Sequence, residues 1–177
     1  MLNGMKNITV LFLVMEFPPV NTTGNFRSLK FVKYLRMFGI EPVVVTFKEE
    51  EAAAFFNTSL DYKLMDELPE DLTIYRIHCE DGKKYYNTHL RSFLTIFFSI
   101  KDNLAKRWKK YLFHELDAIV TKHRPQLIFT SLPPYSAGAL ALEIARKFKL
   151  PFVLDMRDLW ALFGDAPLAT RIHYQLT

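Results

Sequence analysis

The sequence predicts an open α/β domain built on a parallel sheet. Short apolar runs rich in β-branched residues alternate with segments of helical spacing, which is typical of strands joined by right-handed helical crossovers. The runs are apolar nearly throughout, as expected of strands buried on both faces. Half of the 177 residues are hydrophobic and 24% are charged, a globular balance that excludes a disordered chain. We therefore expect a Rossmann-like sheet in the order 3-2-1-4-5, with helices on both faces.

The first half of the chain contains three predicted strands. Residues 8–15 (ITVLFLVM) form the first, residues 42–47 the second and residues 73–78 the third. Residues 26–38 have helical spacing and end before Gly39, a natural C-terminal stop. Short helices are expected over residues 49–56 and 61–68.

The second half continues the same alternation. Residues 127–131 (LIFTS) form the fourth predicted strand, residues 137–148 an alanine-rich helix and residues 152–155 (FVLD) the fifth strand. No internal repeat or low-complexity linker interrupts the chain, so residues 1–177 are expected to form a single domain.

Polar loops follow the first, fourth and fifth predicted strands. In this strand order the carboxyl ends of those strands lie together where the winding of the sheet reverses. Open parallel sheets bind ligands at that reversal. We therefore expect one crevice lined by the loop after residue 15, by residues 131–136 (SLPPYS) and by residues 155–158 (DMRD).

The loop after the first strand has features typical of an anion-binding site. Gly24 permits a close backbone approach, and the start of the next helix offers unpaired N–H groups. Arg27 adds a formal positive charge to that helix end. The alternative is a plain turn in which Thr22, Thr23 or Asn25 caps the helix.

The loop after the fifth strand combines Asp155, Arg157 and Asp158. Charged groups at the end of a buried strand are costly unless they meet partners or water in a cleft. This favours a functional cluster. The alternatives are a simple pair between Asp155 and Arg157, or Asp158 as the cap of a following helix.

The loop after the fourth strand carries Ser131, Tyr135 and Ser136, and Pro133 and Pro134 restrict its geometry. Ser136 is alternatively the N-cap of the alanine-rich helix. A nucleophile elbow is excluded because Tyr-Ser-Ala lacks the flanking glycines.

Several other kinds of site are excluded by spacing. The six glycines never occur as Gly-x-Gly, so neither a dinucleotide fingerprint nor a P-loop is present. The five histidines have no ligand spacing and Cys79 is the only cysteine, so neither a zinc site nor an internal disulfide is expected. No metal site is predicted. The run at residues 8–15 is too short to span a bilayer and lacks a cleavage site, which predicts a cytoplasmic protein.

Residues 83–110 are basic and aromatic in a chain of net charge +4. Their apolar stripe predicts a helix packed on the sheet, with its basic face in water. The alternative is peripheral contact with anionic lipid at the inner face of the cell membrane. The residues expected to face that membrane are Arg91, Phe93, Phe97, Lys106, Arg107, Trp108, Lys109 and Lys110. No nucleic-acid recognition module occurs, so nucleic acid is not an expected partner.

Three stretches together resemble the N-terminal domain of glycosyltransferase family 4. They are EFPP at the end of strand 1, LRMFGIEPVVVTF through strand 2, and LIFTSLPPYSAGALALEIARKFKLPFVLDMRDLW through strands 4 and 5. The middle of the chain matches little. The resemblance implies one half of a GT-B fold and an enzyme that transfers a sugar from a nucleotide sugar to a glycan or lipid-linked acceptor. It implies retention of configuration, no metal and no cofactor beyond the nucleotide sugar substrate, and a role in building surface polysaccharide or glycolipid.

The resemblance also implies roles for the loops. The N-terminal domain of that family mainly binds the acceptor, and the C-terminal domain holds most of the nucleotide sugar. Gly24, Asn25 and Arg27 would approach the donor diphosphate, and residues 131–136 and 155–158 would line the acceptor side. No catalytic base is assigned, because Leu132 or a neighbour stands where some relatives carry histidine.

The chain ends at Thr177 without a second domain. We therefore expect a truncated N-terminal domain that lacks its C-terminal partner and is inactive alone. The alternative function is a stand-alone α/β module that binds an anion or nucleotide without catalysis.

Overall fold

The computed structural model describes residues 8–80, 104–134 and 136–157. The strands are β1 (Ile8–Leu13), β2 (Ile40–Phe47), β3 (Thr73–Ile77), β4 (Leu127–Leu132) and β5 (Phe152–Met156). The α-helices are α1 (Thr23–Leu35), α2 (Glu49–Phe56), α3 (Leu104–His123) and α4 (Ser136–Phe148). Short 3₁₀ helices cover Arg36–Phe38 and Tyr62–Glu67.

The five strands form one parallel sheet in the order β3-β2-β1-β4-β5. This confirms the predicted fold class and strand order. The central strand β1 pairs with β2 on one side and β4 on the other, so that Leu13 lies between Val45 and Thr130. In the outer pair, Ser131 of β4 lies beside Asp155 of β5. The reversal of winding therefore lies between β1 and β4, as predicted.

Alternate side chains of β1 enter two separate cores, because successive residues of a strand point to opposite faces. Helix α1 covers one face, where the buried set includes Val10, Phe12, Val14, Leu29 and Val32. Helices α3 and α4 cover the other, where the buried set includes Leu11, Leu13, Trp108, Leu112, Leu116, Ala141 and Ile144. Burial on both faces explains why β1 is apolar nearly throughout.

Helix α1 begins three residues earlier than its hydrophobic spacing indicates, at Thr23. Thr22 has extended backbone and is the N-cap residue, but its side chain makes no capping bond. The helix then tightens into the 3₁₀ turn, and Gly39 ends it with φ 72°, as predicted. The helix predicted over residues 61–68 is the 3₁₀ helix Tyr62–Glu67.

The structure corrects part of the membrane-facing prediction. Trp108 is fully buried and packs edge-to-face on Phe47, with ring centroids 4.6 Å apart. Arg107 is 8% exposed and donates to the backbone carbonyl of Glu80. Both predictions were wrong, because the apolar stripe of α3 faces the core and carries these two side chains inward.

The other predicted membrane-facing residues have separate outcomes. Lys106, Lys109 and Lys110 are exposed, and Lys109 forms an ion pair with Glu143 of α4. Arg91, Phe93 and Phe97 lie outside the described residues. Within the described ranges, no helix is both long and apolar enough to cross a membrane.

Candidate functional site

The loops that follow β1, β4 and β5 meet at the guanidinium of Arg157. Its Nε donates to the backbone oxygen of Leu132 at 2.8 Å, and one terminal nitrogen donates to that of Pro133 at 2.6 Å. The same nitrogen lies 2.7 Å from Oε1 of Glu16, directly after β1. The structure thus brings the three loops together at one edge of the sheet, as the strand order predicts.

The Arg157–Glu16 pair is largely removed from water. The two side chains are 17% and 13% exposed. A guanidinium buried to this degree needs several acceptors, and the carboxylate and two carbonyls supply them. The pair therefore links the loop after β5 to the loop after β1, and the two carbonyl contacts add the loop after β4.

Gly24 makes this arrangement possible. A Cβ atom at position 24 would lie 2.1 Å from a terminal nitrogen of Arg157 and 2.3 Å from a carboxylate oxygen of Glu16. No side chain fits there. We expected this space to admit a ligand, and that interpretation needs correction, because the protein's own ion pair fills it.

A second cluster joins α1 to β5 through Arg27 and Asp155. Nε and one terminal nitrogen of Arg27 lie 2.6 Å from the two carboxylate oxygens, a bidentate pair. Ser131 donates its hydroxyl to the same carboxylate at 2.9 Å. The Arg27 side chain is 48% exposed and that of Asp155 13%, so the cluster presents its arginine to solvent. The alternative pair between Asp155 and Arg157 does not form, since Arg157 pairs with Glu16.

The surroundings of Asp155 favour its ionised form. Burial alone raises the pKa of this carboxyl, but hydrogen bonds from Arg27 and Ser131 and the charges of Arg27 and Arg157 outweigh burial and lower it overall. The hydrogen bond to Asp155 raises the pKa of Arg27 in turn. Asp155 is therefore an acceptor and Arg27 a donor at neutral pH.

Two predicted site residues face the protein interior. Asn25 is fully buried and donates from Nδ2 to the backbone oxygen of Val20 at 2.6 Å, so its side chain does not reach the crevice. This corrects its assignment to a diphosphate contact. The hydroxyl of Ser136 accepts from the backbone N–H of Ala105 at 3.1 Å and ties the start of α4 to the start of α3.

The remaining predicted residues have mixed outcomes. Pro133 and Pro134 are half-buried, the backbone oxygen of Pro133 accepts from Arg157, and the peptide bonds before both prolines are cis. Tyr135 and Asp158 lie outside the described residues.

Glu16 is a site residue that the sequence analysis missed. Its sequence context places it only in the EFPP segment at the end of strand 1, although it forms the ion pair that joins two loops. The available signal was its position, since a carboxylate directly after a buried apolar strand needs a partner.

The arrangement offers polar recognition rather than covalent chemistry. Within the cluster of Arg27, Asp155 and Ser131, Arg27 is the exposed donor and the hydroxyl of Ser131 is committed to Asp155. In the described part of the chain, no group of three or more His, Cys, Asp and Glu side chains could hold a metal ion. The cluster can bind anionic or hydroxyl-bearing groups through the guanidinium and the carboxylate.

Comparisons with known proteins gave distant structural neighbours. No family model matches the sequence, and no curated protein matches it. The C-terminal domain of a hydrogenase from Pyrococcus furiosus is similar at 12% identity and a TM-score of 0.48, covering 85% of this chain and 92% of that domain. MurG from Acinetobacter baumannii is similar at 15% identity and a TM-score of 0.49, covering 96% of this chain and 39% of MurG. Neither similarity identifies an activity for this chain.

Proposed function

We propose that this chain is the acceptor-binding N-terminal domain of a retaining glycosyltransferase. The reaction moves a sugar from a nucleotide sugar to a glycan or lipid-linked acceptor, and a separate C-terminal domain holds most of the donor. Two arguments support the proposal. The sequence resembles glycosyltransferase family 4 in the segments around strands 1, 2, 4 and 5, and the loops in those segments meet at one edge of the sheet.

The observation that carries the proposal is the cluster of Arg27, Asp155 and Ser131 at the reversal of the sheet. A sugar acceptor presents hydroxyl groups, which need both donors and acceptors at fixed positions. Asp155 is an ionised acceptor that Ser131 and Arg27 hold in place, and Arg27 is the exposed donor. The cluster lies where open parallel sheets bind ligands.

Arg27 has a second role in the proposal. Its guanidinium lies in the second turn of α1, and the exposed half of its side chain can approach the negative charge that develops on the leaving diphosphate. Catalysis would then rest on positioning and on charge stabilisation by donors fixed in advance. Asp155 would share Arg27 with the diphosphate, since one guanidinium carries five N–H donors.

The test compares two positions on the same helix. The protein expressed from its complete reading frame is assayed for transfer of radiolabelled sugar from UDP-glucose and GDP-mannose to glycan and lipid extracts. Arg27→Ala should lower turnover about tenfold or more. Lys30→Ala is the matched control, because the Lys30 side chain is also 48% exposed and also ion-paired, with Glu67.

Equal turnover of Arg27→Ala and Lys30→Ala would contradict the site. Asp155→Asn tests the acceptor side, because an amide keeps the shape of the carboxylate and loses its charge. We expect its acceptor KM to rise. If nucleoside diphosphate binds to the purified protein but no acceptor receives sugar, the alternative of a binding module without catalysis is favoured instead.

A further inference from the structure

A second polar cluster lies at the same edge of the sheet and takes no part in the site described above. His78 follows the last residue of β3, where the backbone N–H of Lys48 bonds to the carbonyl of Ile77 at 3.3 Å. Strands β3 and β1 are two strand spacings apart, roughly 10 Å. His78 therefore lies at the same carboxyl edge of the sheet as the loop after β1, two strands away from it.

The imidazole of His78 is held in one orientation by α2. Its Nδ1 lies 2.5 Å from Oε1 of Glu51, and the other oxygen of Glu51 accepts from the backbone N–H of Cys79 at 2.7 Å. The Cys79 N–H thus holds the Glu51 carboxylate in place, and the carboxylate orients the His78 ring. The ring also packs edge-on against Tyr111 of α3, with centroids 4.4 Å apart.

This orientation determines which nitrogen is free. An ionised carboxylate only accepts hydrogen bonds, so Nδ1 of the neutral ring carries the hydrogen and Nε2 carries the lone pair. Nε2 has no hydrogen-bond partner in the described parts of the chain. The His78 side chain is 42% exposed, so water reaches part of the ring.

We propose that His78, oriented by Glu51, is a binding site for a hydroxyl group of a neutral ligand such as a sugar. Nε2 accepts the O–H hydrogen bond of the ligand, and Tyr111 limits the approach on one side. The inference goes beyond the transferase proposal, because it depends only on the geometry of the imidazole.

The surrounding charges select the class of ligand. Among the described residues, the imidazole contacts Glu51 of α2 and Tyr111 of α3, and Tyr111 in turn joins Glu80, and through it Arg107, to the cluster. Tyr111 donates to Glu80 at 3.3 Å, and Arg107 donates to the backbone carbonyl of Glu80. The Glu51 carboxylate bonded to the ring repels an anion, so a phosphate or carboxylate ligand is disfavoured at His78.

The reactivity of Nε2 distinguishes an oriented imidazole from a histidine that only links β3 to α2. A carboxylate that accepts from Nδ1 holds the neutral ring with its lone pair on Nε2, the nitrogen that can attack an electrophile. The test therefore measures the reactivity of Nε2 with diethyl pyrocarbonate, which transfers an ethoxycarbonyl group to the imidazole nitrogen and releases ethyl carbonate. Peptide mass spectrometry gives the rate at each histidine.

His114 provides the internal control, because it is exposed on α3. We expect His78 to react several-fold faster than His114 in the native protein. Glu51→Gln should lower the rate at His78 to that at His114, and Glu51→Asp should lower it too because its shorter side chain does not reach Nδ1. A rate at His78 no higher than at His114, or a difference that survives Glu51→Gln, overturns the proposal.

A second measurement covers the case in which the Glu51 variants do not fold. The ¹⁵N spectrum of the wild-type imidazoles reports the tautomer directly, and we expect the Nδ1–H form at His78. The Nε2–H form overturns the proposal.

Where the complete protein transfers sugar, His78→Gln should raise the KM for the acceptor about fivefold or more and leave the donor KM unchanged. That arm rests on the transferase proposal, whereas the reactivity and tautomer arms do not.

Discussion

Arg157 and Glu16 are 141 positions apart in the sequence and form an ion pair 2.7 Å long at the edge of the sheet. Through this pair and the contacts of Arg157 with two backbone carbonyls, the loops after β1, β4 and β5 are joined. Because both side chains are mostly buried, each charge depends on the other for its solvation. Two consequences of this pair can be measured.

The first prediction concerns removal of one member of this pair. Arg157→Ala leaves the Glu16 carboxylate buried without its partner, so the free energy of unfolding should fall by about 3 kcal/mol. Urea denaturation followed by circular dichroism measures the change. Lys147→Ala is the control, because its pair with Asp117 is 36% and 64% exposed and should contribute under about 1 kcal/mol.

A double-mutant cycle separates the pair from the single losses. Arg157→Met combined with Glu16→Gln removes both charges, so the double variant should be more stable than the sum of the single changes indicates. If the stability losses of the two single variants add up to that of the double variant, the two side chains are not coupled and the pair does not join the loops.

The second prediction concerns Gly24. Its Cβ position is occupied by the Arg157 and Glu16 side chains, so Gly24→Ala must displace the pair. We expect a loss of about 2 to 3 kcal/mol in the free energy of unfolding. Gly138→Ala in α4 is the matched control, because its Cβ would lie 3.3 Å from a methyl group of the exposed Leu154 side chain. Alanine favours the helix there, so we expect no comparable loss. A Gly24→Ala protein as stable as Gly138→Ala would refute the close approach.

The strand order was predictable from the sequence because the signals that determine it are local. Apolar runs, helical spacing and the stop at Gly39 each depend on neighbouring residues, and right-handed crossovers then leave few topologies. The edge at which the three loops meet follows from that order without knowledge of any side-chain contact.

The partners within the site were not predictable in the same way. Asp155 had Arg157 two residues away as its nearest cation, yet it pairs with Arg27, 128 positions distant. Arg157 lies just beyond the end of β5, where the backbone turns it toward Leu132 and Glu16. Trp108 shows the same limit, since an apolar stripe indicates a buried face without saying whether sheet or lipid buries it.

The third prediction concerns the pH dependence that Asp155 contributes. Its pKa is lowered in the folded protein, so the folded state holds this proton less tightly than the unfolded chain does. The resulting stabilisation is complete above the ordinary aspartate pKa, about 4, and is lost as the pH falls through the lowered value. Asp155→Asn should therefore lose less stability than the wild type between neutral pH and about pH 2.5.

Glu67 and Asp71 also have lowered pKa values, from their bonds to Lys30 and Arg36 respectively, so they too make the wild type lose stability in acid. The effect of Asp155 is therefore the difference between the stability curves of the wild type and Asp155→Asn. Urea midpoints at a series of pH values give the two curves. Asp66→Asn, at an exposed position, is the control and should follow the wild-type curve. Parallel curves for the wild type and Asp155→Asn would show that the Arg27 and Ser131 contacts do not favour the ionised carboxylate.

The fourth prediction concerns Cys79, which is 4% exposed beneath the His78 cluster. Burial, together with the negative charges of Glu51 and Glu80, raises the pKa of its thiol to about 11 despite the opposing charge of Arg107. Only the thiolate reacts with Ellman's reagent, so labelling of the native protein at pH 8 should be roughly a hundredfold slower than labelling in urea. Because Cys79 is the only cysteine, the absorbance of the released thiolate reports on this position alone. Rapid native labelling would mean that the end of β3 opens readily, and the Glu51 carboxylate would then not be fixed well enough to orient His78.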